Sequence, residues 1–308
     1  MLRTADLPTA DLSTPYDTPI TEGLTVNITA TTTHVDAHAF HPTSRGLVTR
    51  TRRDDVAAVP AAITSEWIKL RSLRSTWAIL ALTAVIGVVM SWVLATFVKT
   101  DPYDHLPFTV ANSFSASTWL STVLALVVGI LMFTSEVQHG TISNAIAARP
   151  ARWVTVAGKA VVAAGFGLAI GLFGMVASIG AGLASGMDMG DTTGMGVTIA
   201  WSLLLTSCAA IFGIGVGMII RHSAAAVSAM LVWALVVENL IRSVAPANVS
   251  RFLPFSAANG LLNIRSAGDT TESLAARLSR PADALVFIAF TVTAMAIGTV
   301  LLYRRDAD

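Results

Sequence analysis

Charge is scarce in this chain: Asp, Glu, Lys and Arg make up 13% of its 308 residues against 54% that are hydrophobic, and the mean hydropathy is +0.66. A soluble domain carries about 25% charged residues, so a wholly water-exposed fold is excluded. Cysteine is nearly absent. Cys208 stands alone, which rules out an intrachain disulfide and a cysteine metal site. Net charge is only +1, and no basic stripe is interleaved with aromatics, so nothing argues for nucleic acid as a partner. Nucleotide chemistry lacks its loop too. A phosphate-cradling loop needs Gly, four residues, then Gly-Lys-Ser/Thr; the Gly158-Lys159 pair is followed by Ala160, and Trp153 stands where the first glycine belongs. No Ser, His and Asp arrangement argues for hydrolysis, and no span holds paired carboxylates, so no catalytic site is expected.

What the chain has is long apolar runs. A helix rises about 1.5 Å per residue and needs about 20 apolar residues to cross the hydrocarbon core. Six runs suit that length: residues 77–98, 118–133, 154–184, 197–220, 224–241 and 284–303. The second is short, the third contains Lys159 and the fifth contains Glu238. The expected fold class is therefore all-α, a polytopic six-helix membrane bundle over residues 61–308. Residues 1–60, rich in Thr, Ala, Asp and Pro and lacking the apolar core of a signal peptide, read as a disordered tail. His34, Asp36, His38 and His41 fall in that tail and read as a chance cluster, so no metal site is expected.

Lys and Arg mark the side retained in the cytoplasm. Lys69, Arg71 and Arg74 precede the first span, Arg149, Arg152 and Lys159 flank the second connection, Arg221 sits in the fourth, and Arg304 and Arg305 follow the sixth. With six spans all of these share one side, and both termini are cytoplasmic. The segment from Arg242 to Asp283 runs against this bias, with Arg242, Arg251, Arg265, Arg277 and Arg280 on the outer side. Trp77, Trp119, Trp153 and Tyr303 fall at expected boundaries, where indole and phenol rings favour the headgroup zone.

Before the first span, Ile63, Trp67, Leu70, Leu73 and Trp77 share one arc of a helix, with Glu66 and Arg74 intruding. That pattern suits either a helix lying on the membrane surface or a plain cationic stop. Between the second and third spans, Gly140 permits a helix to break and Thr141 can cap a second short helix ending before Pro150, giving a tip suited to docking. Gly167 and Gly171, Gly182 and Gly186, and Gly213 and Gly217 have the spacing that lets helices approach closely. Glu238 is expensive in a span, and Arg242 one turn later makes a structural salt bridge its simplest account; a contact along a transport path is the other.

The pattern Glu136, Gly140-Thr141, Pro150, Arg152 and Lys159, with the lead-in from Ser65 to Trp77, resembles permease subunits of type-2 ATP-binding-cassette exporters, actinobacterial members especially. The resemblance covers roughly residues 62–305. It implies an interface helix over 65–76 carrying Trp67, Lys69, Leu70, Arg71 and Arg74, and a coupling helix over 135–150, with Glu136, His139, Gly140, Thr141, Pro150 and Arg152 as the coupling residues. It also implies two copies of a separate ATPase subunit that bind ATP and Mg, a second permease chain, identical or related, and a plasma-membrane location among lipid. This chain itself would bind no cofactor. The segment between the last two spans resembles the family's re-entrant external helices. An ion-coupled carrier and a non-transporting anchor or sensor remain alternatives on the residues alone.

Overall fold

The computed structural model describes residues 52–98, 108–140, 152–190, 192–264 and 271–305. The metal-like cluster at 34–41, the expected tail as far as residue 51, Thr141, Pro150 and Arg265 lie outside the described residues. Among the described residues every regular element is helical, and six helices are long and apolar enough to cross a membrane.

Helix α1 spans Arg52–Ser72, so the last nine residues of the expected tail are already helical. Ala57, Ala58, Ala61 and Ala62 supply high helix propensity around Pro60, whose missing N–H is tolerated in this solvent-facing stretch. The chain then turns at Leu73, which is extended (φ −84°, ψ 126°), before α2 begins at Arg74. The lead-in is thus two helices rather than one continuous element across 65–76. The Thr76 hydroxyl closes the corner by donating to the Leu70 carbonyl at 2.5 Å.

Helix α2 covers Arg74–Val93 and ends in a π-helical turn, Leu94–Val98. Helix α3 covers Val110–Gln138, far longer than the 118–133 run visible in the sequence. The extension is rich in Ser and Thr, which normally signal a loop. Here their hydroxyls bond back to the helix: Ser115 to Ala111, Thr118 to Phe114 and Thr122 to Thr118, all onto carbonyls four residues earlier. Polar residues therefore mark the inward face of α3, not its end. Trp119, expected at a boundary, consequently lies inside the span.

Helix α4 is Arg152–Ala184 and α5 is Met195–Ile220. The fifth span joins α6, Ser223–Val232, through a π-turn at Trp233–Val237 to α7, Glu238–Val244. Short helices α8, Ala247–Ser250, α9, Pro254–Leu262, and α10, Thr271–Ala275, precede the last span, α11, Arg280–Arg305. Helix α9 is buried against α3, α5 and α11 through Phe255, Leu261 and Leu262.

Helix α5 is the hub, packed on α3, α4 and α11, while α2 and α6–α7 carry exposed apolar rows such as Leu82, Val85, Val89 and Leu235, Val236, Leu240. Lipid satisfies those rows, and association then depends on close packing rather than on water exclusion. The glycines supply it. A Cβ on Gly129 would collide with the Ala210 carbonyl, one on Gly213 with the Leu126 carbonyl, and one on Gly167 with the Thr206 carbonyl. Gly182 and Gly186 do something else. Gly186 (φ +76°) ends α4, and the Met187 N–H returns to the Gly182 carbonyl at 3.1 Å.

Adjacent spans alternate in direction. Gly217 packs on Ile130 and Phe133, Gly298 packs on Met218, and Ser223 donates to Gln138 at 3.1 Å, so the ends of α3, α5 and α11 and the start of α6 share one end of the bundle.

Candidate functional site

Where α1, the end of α3 and the start of α4 meet, four charges come together. Helix α1 is seated on α4 by two small residues, with the Ala62 Cβ only 3.0 Å from where a side chain on Gly158 would begin. One turn further along α1 and one residue further along α4, that contact brings Glu66 to Lys159. The Lys159 ammonium lies 2.9 Å from Glu66 Oε2 and 2.6 Å from Glu136 Oε1. Lys69 repeats the bridge from the outside, 2.8 Å from Glu66 Oε1 and 3.3 Å from Glu136 Oε1. Each lysine therefore spans both carboxylates, and the set is neutral.

Burial makes the arrangement consequential. Lys159 is 2% exposed and Glu66 7%, and an ion taken out of water costs several kcal/mol unless it is paired and hydrogen-bonded. Burial pushes the Glu66 carboxyl upward, but Lys159 and Lys69 outweigh it and hold its pKa below the ordinary 4.5. For Lys69 burial works downward, and Glu66 with Glu136 overcomes it, raising the ammonium above 10.5. These pairs contain no nucleophile and no orphaned proton donor. What they can do is transmit displacement, because moving any one of the three helices alone would expose unpaired buried charge.

The connection expected to form a docking tip starts immediately beyond. Helix α3 stops at Gln138, the His139 Nδ1 lies 2.7 Å from the Ser135 carbonyl, and Gly140 turns the chain at φ +66°. The break anticipated at Gly140 is present, whereas the second helix of the tip falls on residues outside the described ones. Arg152 is the first residue of α4.

The interface residues divide. Leu70 is buried on the bundle, while Trp67, Lys69, Arg71 and Arg74 are exposed. The face α1 presents to α4 is Ala62, Glu66 and Leu70, not the Ile63–Trp67–Leu70–Leu73–Trp77 arc. Glu66, which looked like a flaw in the apolar stripe, is the centre of the packed face. The signal that could have found it is its i, i+4, i+8 spacing between Ala62 and Leu70 together with a span lysine, Lys159, that needed a partner.

At the opposite end Glu238 is 1% exposed, and its two oxygens accept the backbone N–H groups of Phe255, at 3.1 Å, and Ser256. The carboxylate thus caps the N-terminus of α9, where the amide dipoles favour negative charge. That contact, together with the attraction of Arg242 one turn later, explains how a span tolerates the residue. Arg242 extends its Nη1 to Asn239 Oδ1 at 3.4 Å.

A family model described as ABC-2 family transporter protein matches residues 62–246, more than half of the chain. No curated protein matches it.

Proposed function

The chain belongs to the ABC-2 transporter family and is a transmembrane permease; from that premise we propose that it is the membrane half of an exporter driven by a separate ATPase subunit gripping the tip between α3 and α4. Two ATPase chains and a second permease chain complete the machine, and ATP with Mg is bound and hydrolysed only in the ATPase. The end bearing the charge cluster faces the cytoplasm, as do both termini, and the membrane is the plasma membrane.

The observation that carries this reading is the position of the cluster. Helices α3 and α4 hold 29 and 33 residues, roughly 44 and 50 Å at 1.5 Å per residue, against a hydrocarbon core of about 30 Å. Turns of both helices therefore stand clear of the bilayer, and Glu136 lies on one of them, beside the tip. Force applied there passes through Lys159 and Glu66 into α1 and α4 together. ATP-driven closure of the ATPase pair then tilts the bundle as a unit between inward and outward access.

A photocrosslinking amino acid placed at exposed His139 tests this in cells. The expected product is an adduct with a soluble protein whose peptides include a phosphate-cradling loop. Adducts with lipid alone, or with no ATPase, would overturn the assignment.

A further inference from the structure

The permease reading assigns no role to a cavity beside Glu238, bounded by α2, α3, the fifth span and α9. Its volume is about 340 Å³, at the lower end of the range of ligand pockets, roughly 300–1,000 Å³. Met90, Ala116, Trp119, Leu120, Ala234 and Phe255 give it apolar walls. The fifth span is wound as a π-turn where it lines this space, with Ala234 in the turn and Glu238 directly after it. Such single turns are rare in helices and recur at functional sites.

The polar groups at the edge are already engaged within the protein. Glu238 accepts the backbone N–H groups of Phe255 and Ser256 on its two oxygens, and the Arg242 guanidinium reaches Asn239. A charged ligand would have to break such bonds to find a partner, whereas an apolar one needs none of them. The walls favour rings, because indole and phenyl groups pack well edge-to-face or offset against other rings, and a thioether such as that of Met90 adds a favourable contact. Volume sets the size. An apolar cavity of about 150 Å³ takes one benzene ring, so this one has room for two. On either side α2 and the fifth span expose the apolar rows at Val85, Val89, Leu235 and Val236, which places the cavity among groups that meet lipid.

We propose that each chain binds one uncharged, two-ring hydrophobe in this cavity, drawn from the lipid and held between Trp119 and Phe255 without help from a second copy. Calling that molecule cargo would rest on the permease reading; its binding does not.

The test uses the full chain in dodecyl maltoside, without any ATPase, so that its failure leaves the permease reading untouched. The probe is 2-(trifluoromethyl)naphthalene, followed by fluorine magnetic resonance. A resonance distinct from that of the micelles is expected, saturating at one equivalent per chain and lost on adding excess naphthalene. Ala116→Phe, which fills the cavity and alters no charge, should abolish it. Leu120→Ala enlarges the cavity and should let three-ring anthracene compete as well as naphthalene, which it should not do in the native chain; this gain of size cannot come from misfolding. Micellar partitioning alone, an unchanged signal in Ala116→Phe, or saturation at one equivalent per two chains would overturn the proposal. So would naphthalene-2-carboxylate competing more strongly than naphthalene, since the site would then be reading charge.

Discussion

Lys159 reaches across 93 residues of sequence to set its ammonium 2.9 Å from the Glu66 carboxylate, with neither group open to solvent. In lipid a packing contact is replaceable by another packing contact, whereas a buried ion pair holds its two helices to one register, and here Lys69 and Glu136 reinforce it. It therefore fixes how α1 sits on α4, and Glu136 extends the same constraint to α3.

Removing one charge should be worse than removing two. Lys159→Met leaves only the half-exposed Lys69 to bridge Glu66 and Glu136, and a loss of about 3 kcal/mol, the low end for a broken buried pair, is expected. Glu66→Gln with Lys159→Met removes one charge of each sign and should recover much of that loss. Thermal melts of the three proteins in detergent measure both, and a double variant no better than Lys159→Met would show that the charges act independently.

The pH profile follows from the directions of the shifts. Glu66 is held below its ordinary 4.5, so its contribution is complete above that value and fades as pH falls through the depressed pKa. Lys69 is held above 10.5, so its contribution is complete below that value and fades as pH rises past it. The gap in melting temperature between the native chain and Glu66→Gln should hold steady from about pH 5 to 10 and close on acidification below 4.5.

Helix packing makes a separate prediction. Gly129→Ala would drive a methyl into the Ala210 carbonyl of α5, a contact that backbone can relieve only by separating the helices. A cost of about 1–3 kcal/mol is expected. Gly165→Ala, on the same kind of apolar helix but with nothing within 4 Å, should cost nothing measurable and serves as the control in the same melt.

The membrane architecture was legible because a lipid-crossing helix has to be apolar over its length, and no tertiary contact can override that requirement. The ends were less so. In α3 the residues from Val110 to Ser117 fall outside the apolar run at 118–133 because hydroxyls that satisfy themselves on their own helix carbonyls look, in one dimension, like hydroxyls that need water. Three of the four charges of the site were legible as well. Glu136 and Lys69 stood out by position, and Lys159 by its isolation in a span. Glu66 did not, because an amphipathic arc counts a carboxylate as an error unless its counter-ion, distant in sequence, is already known. Glu238 was noticed for its cost, yet its partners are backbone amides, which every residue but proline has and which no side-chain pattern announces.

Asn239 lines a cavity bounded by Trp119 and Phe255, and the charge cluster lies at the other end of the bundle, so a cysteine at Asn239 reports whether the two ends move together. In the complete complex with Cys208→Ser, the measurement is the rate at which that cysteine reacts with an impermeant maleimide, with and without ATP and vanadate. The rate should change on trapping, and the change should vanish in the Glu66→Gln, Lys159→Met double variant while ATP turnover continues. An identical change in that variant would contradict transmission through the cluster.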